Sequence, residues 1–331
     1  MNCRTELEVF LEEWNAPSDT IVAHTSGSTG TPKNISLLKS DMRASARATN
    51  AFFGLGHGDV FVVPLSFGYI AAKMMAVRAL EAGGHLEALP PSNNFVLPDG
   101  RCALLAVVPS QVDCLLAHPQ WATRIGSVIV GGAKLDDEKA CRLMDCGYNA
   151  YETYGMTETC SHVALKKIGG DGCFVALPGI TFRTDGRGCL VVDVPHMSVG
   201  HVVTNDLVEI VSPTTFRWLG RYDNVVNSGG IKIIPEHLEE CIRTLAPDID
   251  FQFVIVGVPS SKWGEELALV AELPGGDATL KRLDRLREVL SAKLDHVYLP
   301  KHFAAVDALP RTSNGKLVRK PHFFVEKLGE D

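Results

Sequence analysis

Thr25-Ser26-Gly27-Ser28-Thr29-Gly30-Thr31-Pro32-Lys33 packs five hydroxyl side chains, two glycines and one lysine into nine residues, just ahead of a predicted helix. Gly27 and Gly30 let the backbone turn tightly and approach a ligand. The hydroxyls and amide N–H groups supply donors, and Lys33 adds a positive charge, so the stretch suits phosphate. It is not a Walker A loop, which needs Gly, four residues and then Gly-Lys-Ser/Thr, because Thr31 and Pro32 follow Gly30. The G-x-G-x-x-G dinucleotide fingerprint is absent as well. A polar Gly/Ser linker is the competing reading of the segment taken alone.

Outward from this loop the chain alternates between two periods. Upstream, Thr5-Glu6-Leu7-Glu8 has capping-box spacing, and Leu7, Phe10, Leu11 and Trp14 share one helical face. Downstream, a helix is predicted from Ser40 to Phe53, ended by Gly54. Val60 to Pro64 reads as a buried strand, Ala71 to Glu81 as a helix, Ala103 to Val108 as a strand, Ser110 to Ala117 as a helix, Ser127 to Val130 as a strand and Leu135 to Met144 as a helix. This βαβ rhythm predicts a mainly parallel sheet covered by helices. From about Phe174 short alternating runs split by turns such as Asp185-Gly186 predict a small antiparallel sheet or distorted barrel carrying Asp206. After Asp223 a compact α+β unit is expected: helices from Pro235 to Leu245 and Leu280 to Leu294, and strands from Phe253 to Val258 and Leu267 to Leu273. The fold class is therefore α/β, with a large N-terminal domain over residues 1–222 and a small α+β C-terminal domain over 223–331.

The 331 residues are nearly half hydrophobic, enough for a large core and a smaller one. A formal charge of −7 with no long basic run argues against nucleic acid or an anionic membrane as partner and favours small-molecule chemistry. No stretch has the length of a membrane span, and Met1 to Trp14 carries acidic residues where a signal peptide would be basic and then apolar, so a cytoplasmic location is expected. Nine cysteines stand singly with no C-x-x-C pair, which reads as reduced, mostly buried thiols. The histidines show no ligand spacing, so no transition-metal site is indicated.

Four more segments follow the loop: Tyr154-Gly155-Met156-Thr157-Glu158, Thr204-Asn205-Asp206, Gly220-Arg221-Tyr222-Asp223 with Gly229-Gly230, and Pro310-Arg311-Thr312-Ser313-Asn314-Gly315-Lys316. In this order, with Thr25 to Lys33, they resemble the adenylate-forming superfamily of acyl-CoA synthetases, firefly-type luciferases and peptide-synthetase adenylation domains. The resemblance implies activation of a carboxylic acid by ATP to an acyl-adenylate with release of pyrophosphate, followed by thioester formation with CoA. Two anions must meet at phosphorus, so catalysis should rest on positioning and cationic screening.

On that resemblance the loop containing Thr25, Ser26, Gly27, Ser28, Thr29, Gly30 and Lys33 holds the β- and γ-phosphates. Thr157 donates to the α-phosphate. Glu158 is the Mg2+ ligand, an ion that commonly takes one or two protein carboxylates while phosphates and waters complete its shell. The Tyr154 ring packs on adenine, with an inward strand residue as its alternative. Asp206 accepts from the ribose hydroxyls, although Asn205 stands where family members generally have Gly. Arg221 reaches ribose or phosphate, with a surface salt bridge as its alternative. Lys316 contacts the reacting carboxylate and α-phosphate, Asp223 is the hinge of a mobile C-terminal domain, and Gly229-Gly230 borders the channel for the pantetheine arm of CoA.

For the acid, Gly131-Gly132-Ala133 leaves room for a planar group, or is simply a tight strand-to-helix turn. Ser161 and His162 follow Glu158 closely. Lys73, inside an apolar run, could pair a second substrate carboxylate or extend to solvent. The short length, His24 to Lys33, Val108-Pro109-Ser110-Gln111 and Tyr69 to Met75 look most like 2-succinylbenzoate-CoA ligases of menaquinone biosynthesis. Ligases of other aromatic or short-chain acids, and a catalytically silent nucleotide-binding protein, are the alternatives. Only 24 residues precede Thr25, fewer than the superfamily usually carries there. What the family's N-terminal subdomain contributes before this loop is expected to be absent or supplied by a partner subunit, which makes a homo-oligomer one expected assembly.

Overall fold

The computed structural model describes residues 5–25, 33–311, 317–319 and 323–324. Helix α1 (Glu6–Asn15) carries the expected capping box, Thr5 Oγ1 accepting from the Glu8 amide and Glu8 accepting from the Thr5 amide, and it buries Phe10 and Trp14. Strands β1 (Thr20–Thr25) and β2 (Lys33–Leu38) then pair antiparallel from Thr20↔Leu38 to Thr25↔Lys33. The sequence reading passed directly from the phosphate loop to a helix. The structure inserts β2 first, and the alternation Asn34-Ile35-Ser36-Leu37, with Leu37 buried, is its period-two signal.

Helix α2 (Lys39–Phe53) ends at Gly54, whose φ of 66° gives the left-handed cap that a glycine permits without strain. Strand β3 (Val60–Val63), helix α3 (Ile70–Ala82), β4 (His85–Ala88), β5 (Cys102–Val107), α4 (Val112–Leu116), β6 (Ile125–Val130), α5 (Asp137–Asp145) and β7 (Ala150–Gly155) complete the βαβ series. The parallel order is β4-β3-β5-β6-β7. Val62, Leu105, Val107, Val128 and Val130 on one sheet face pack with Val112 and Leu115 of α4 and Leu143 of α5. These strands are apolar runs because helices cover them, the pattern of a parallel sheet.

Beyond β7 the direction reverses. Strand β8 (His162–Lys167) runs antiparallel to β7, and β9 (Phe174–Ala176) antiparallel to β8. Strands β10 (Thr181–Thr184), β11 (Cys189–Val194), β12 (Gly200–Ser212) and β13 (Thr215–Arg221) follow, β13 pairing β9 through Phe216↔Phe174. The antiparallel strands thus continue the same eleven-stranded sheet.

Strands β14 (Val226–Ser228), β15 (Ile231–Ile233), β16 (Phe253–Ser260), β17 (Gly264–Glu272) and β18 (His302–Val306) form a second sheet, with helices α6 (Pro235–Leu245) and α7 (Asp277–Lys293). Leu238 and Ile242 of α6 and Leu283, Leu286 and Leu290 of α7 bury one face of β16 and β17. Val254, Val256, Val270, Leu309 and Phe324 pack on the other. Two compact units result: Met1–Asp185 with Val191–Thr204 and Ile210–Arg217, and Gly186–Leu190 with Asn205–Glu209 and Trp218–Asp331. Among the described residues no helix is long and apolar enough to cross a membrane.

Candidate active site

Parallel pairing brings the C-terminal ends of β6 and β7 side by side, with Val130 opposite Glu152. Gly131, Gly132 and Ala133 leave the first end, and Gly155, Met156, Thr157 and Glu158 leave the second. Ligands of open α/β sheets bind at this edge. Gly131 suits the close approach of the strands here, because a Cβ on it would lie 2.6 Å from Thr153 Oγ1 of β7. Gly132 has a φ of +93°. Gly155 is tighter still: a Cβ would sit 2.3 Å from the Ser161 carbonyl oxygen as the chain doubles back into β8.

Thr157 and Glu158 lie in a single 3-10 turn, and Glu158 is exposed. Thr159, buried behind them, has its hydroxyl 3.0 Å from the Met156 carbonyl and 2.9 Å from that of Ser161, which fixes the turn. Cys160 closes it at φ 62°, the sole non-glycine with positive φ among the described residues. Such conformations cost energy and persist only where the surroundings impose them. Among the described residues no group of three or more His, Cys, Asp or Glu side chains could hold a metal. One exposed carboxylate still suits Mg2+, whose shell phosphates and water would fill.

Tyr154 is half-buried, its ring 5.1 Å from Phe216 in edge contact and 5.7 Å from Phe174. Phe216 in turn stacks on Phe174 and meets Phe182 edge-on. The tyrosine is therefore a rigid face backed by an aromatic wall. Tyr151, by contrast, packs on Phe52 and Phe53 of α2.

Ser161 and His162 turn inward beneath α2 and α3. Ser161 Oγ lies 3.0 Å from Ser45 Oγ and accepts from Arg78 Nη2 at 2.7 Å. His162 places Nε2 3.1 Å from Thr49 Oγ1 and Nδ1 3.4 Å from Arg78 Nη2. Burial, and then the charge of Arg78, push His162 well below its ordinary value, so it is neutral at pH 7. Arg78 was missed in the sequence, where it sits in an apolar run like any helix-surface arginine. It is 2% exposed and, among the described residues, its Nε has no hydrogen-bond acceptor and no carboxylate pairs with it. Burial drives its pKa down to about 9. Lys73, the cation singled out by sequence, donates to Glu13 and to the Val22 carbonyl, each at 3.2 Å.

Within the second unit Asp206, 9% exposed, accepts through Oδ1 from Trp218 Nε1 and Arg221 Nη1, each at 3.2 Å. Arg221 Nη2 also donates to Asp223 Oδ2 at 3.2 Å. Burial opposes the charge of Arg221, but Asp206 and Asp223 outweigh it and raise its pKa. Asn205 occupies its unusual position by donating to both oxygens of Asp223 and accepting from Arg187 Nη1 at 3.0 Å. Gly229 (φ +58°) lies against Trp263, where a Cβ would come 2.9 Å from ring carbon Cε3. Trp263 is 45% exposed, with Lys262 Nζ 4.7 Å from its ring centroid.

Ser26, Gly27, Ser28, Thr29, Gly30 and Lys316 lie outside the described residues, as do the side chains of Thr25 and Lys33. Thr25 and Lys33 face each other as the last pair of the β1–β2 ladder, so the phosphate-loop sequence joins two adjacent strand ends.

Comparison with known proteins identifies the family. The family model described as AMP-binding enzyme matches residues 6–217, and the AMP-binding enzyme C-terminal domain matches 246–316. A solved acyl-CoA synthetase (AMP-forming)/AMP-acid ligase II-like protein from Dyadobacter fermentans is 35% identical, covering 96% of this chain and 93% of its own, with a TM-score of 0.64. A 2-succinylbenzoate–CoA ligase of Bacillus mycoides is 24% identical over 350 residues, 95% of this chain and 72% of that protein. The o-succinylbenzoate CoA synthetase of Bacillus subtilis, solved with its acyl-adenylate OSB-AMP, shares the fold at 20% identity and a TM-score of 0.74, over 93% of this chain and 70% of its own. The chain belongs to the AMP-binding enzyme family, the adenylate-forming acyl-CoA ligases.

Proposed function

We propose that the chain adenylates an aromatic acid bearing a second carboxylate, with 2-succinylbenzoate as the best candidate, and transfers the acyl group to CoA. The observation that carries the choice of acid is Arg78. A buried guanidinium with an unsatisfied Nε and, among the described residues, no carboxylate partner costs stability, and a substrate carboxylate would offset that cost. Arg78 is bonded to Ser161, three residues after Glu158, so the cation belongs to the same corner as the reaction site. Lys73, satisfied by Glu13, is the weaker choice. Several curated relatives are named as 2-succinylbenzoate–CoA ligases, which points the same way.

In the first step a substrate carboxylate oxygen bonds to the α-phosphorus of ATP and the bond to pyrophosphate breaks. Tyr154 presents its braced ring to adenine, Asp206 takes the ribose hydroxyls, Thr157 donates to the α-phosphate, and Lys316 screens the two anions. Gly131 to Ala133 floor the acid site. Glu158 would hold Mg2+, which supplies positive charge to the phosphates. In the second step the CoA sulfur bonds to the acyl carbon, AMP leaves with the bonding pair, and the thiol proton is released. Gly229 and Gly230 border the pantetheine path, Trp263 offers the CoA adenine an exposed aromatic face beside the Lys262 cation, and Asp223 is the hinge between the two steps.

The test is pyrophosphate release with ATP, Mg2+ and a panel of acids: 2-succinylbenzoate, benzoate, a fatty acid and a short aliphatic diacid, with and without CoA. Activation of 2-succinylbenzoate with thioester formation is expected. Arg78→Met should lower kcat/KM for 2-succinylbenzoate about 100-fold and that for benzoate less than about threefold. It should leave the free protein no less stable, since it removes a buried charge. Equal loss on both acids would remove Arg78 as the carboxylate partner, and silence across the panel would favour a nucleotide-binding role.

A further inference from the structure

The second unit holds a buried ionic cluster that none of the steps above uses. Glu236 and Glu239 lie one turn apart on α6, and Arg319 inserts between them with its side chain only 12% exposed. Arg319 Nη2 donates to Glu239 Oε2 at 2.8 Å, its Nη1 to Glu239 Oε1, and its Nε lies 3.4 Å from Glu236 Oε1. Glu239 Oε1 also accepts from the Ile255 amide of β16 at 2.6 Å. Glu236 accepts from Asn224 Nδ2, the residue next to Asp223, while its buried Oε2 has no partner among the described residues. Gly220 completes the packing, since a Cβ on it would lie 2.6 Å from that oxygen. Two carboxylates at i and i+3 repel each other, so without Arg319 this corner would hold uncompensated buried charge.

What Arg319 anchors is defined by the chain. It stands three residues after Lys316, and Leu317 between them bridges Arg311 in antiparallel fashion, with the Val318 amide donating to the Pro310 carbonyl at 2.8 Å. The arm at 309–311 is held separately, the Leu309 amide donating to Glu272 Oε2 of β17 at 3.0 Å. The chain is therefore held to β17 at Leu309 and to α6 at Arg319. The geometry points to Arg319 as a positioning residue for adenylation: its forked bond to Glu239 and contact with Glu236 tie the chain next to Lys316 to α6 and, through Asn224, to the segment beginning at Asp223. A buried two-pronged pair holds one orientation, which a point cation on a flexible stem does not. This inference rests on the role of Lys316 in the proposed function.

The two steps are measured apart: ATP–pyrophosphate exchange with 2-succinylbenzoate, or with whichever panel acid the unsubstituted protein adenylates, and thioester formation from the matching acyl-adenylate and CoA. Arg319→Ala is expected to slow exchange about tenfold or more through kcat, with the thioester step within about twofold, and Arg319→Lys to recover part of the loss. If Arg319→Ala does not fold, Arg319→Met combined with Glu236→Gln and Glu239→Gln leaves no buried charge and should show the same split. Both steps falling together, or neither changing, in a folded variant overturns the inference. Lys316→Ala run alongside separates the two ideas: if it leaves exchange intact, the adenylation role of Lys316 fails, whereas a Lys316 split without an Arg319 split sinks only the anchor.

Discussion

At the scale of single residues the candidate site is defined by what surrounds a charge. Lys73 and Arg78 lie on the same helix, and sequence alone favoured the lysine because it interrupts an apolar run. The structure separates them by partners: Lys73 meets Glu13, while the Arg78 guanidinium, among the described residues, meets neutral Ser161 and His162. That difference is created by residues 60 to 84 positions away in sequence, so no local pattern could carry it. His162 gives the pair a pH signature. Its native pKa is depressed by burial and by Arg78, whereas the unfolded chain protonates near 6.5. The unfolded state therefore binds more protons below that value, and the native protein loses stability as pH falls through 6.5 and beyond, until the native histidine also titrates. Each unit in that window is worth up to about 1.4 kcal/mol. Urea unfolding at pH 7.5 and 5.5 should show His162→Gln losing less stability on acidification than the parent, by about that amount. An unchanged difference between the two pH values would mean that His162 takes up its proton in the native state as readily as in the unfolded chain.

At the scale of elements the sequence was a good guide wherever a period ran long enough. The helices at 39–53, 70–82 and 235–245 and the strands at 60–63, 102–107 and 125–130 begin and end within two residues of their expected positions. Gly54 and Pro235 mark ends by backbone chemistry that survives any tertiary context. Strand β2 was passed over because its short alternation, Ile35 and Leu37, sits between a loop and a strong helix and becomes a strand by pairing with β1. The glycines at the ends of β6 and β7 were legible as small residues, but not the reason for them. Gly131 was read as room for a planar acid. The structure adds that its missing Cβ also clears Thr153 Oγ1 on the neighbouring strand. Gly131→Ala should therefore push the strand ends apart, lowering stability by about 1–3 kcal/mol and raising KM for the acid. Thr153→Ala should tolerate Gly131→Ala, with stability largely restored in the double variant. If KM stays high there, the methyl group itself occupies the acid site; if stability is not restored, the clash does not govern the position. Thermal unfolding and steady-state kinetics on the four proteins of the cycle read both quantities.

At the scale of the whole molecule, five short segments scattered over nearly 300 residues made the family legible, because the chemistry of activating a carboxylate on ATP fixes residue types that packing does not. What stayed illegible is how the second unit is wired. Asn205 stands where the family generally has glycine, and it binds both oxygens of Asp223, while Arg221 joins Asp223 to Asp206. Nothing in the sequence near Gly229 announces Trp263 either, since the two meet through the pairing of β14 with β17. That contact gives the thioester step its own handle. The exposed indole and Lys262 lie in the second unit, and neither is among the residues assigned to adenylation. Trp263→Ala should therefore raise KM for CoA about tenfold, a stacking contact being worth about 1–3 kcal/mol, and leave pyrophosphate exchange without CoA unchanged. Gly229→Trp tests the same corner from the opposite side. Gly229 has a positive φ and no space for a Cβ beside Trp263, so a bulky side chain there should block transfer to CoA while adenylation proceeds and acyl-adenylate accumulates on the protein. Quenched-flow measurement of bound acyl-adenylate separates the outcomes. Accumulation with either variant places the CoA path along this face, and parallel loss of both half-reactions would show that Gly229 and Trp263 serve the fold of the second unit rather than the second substrate.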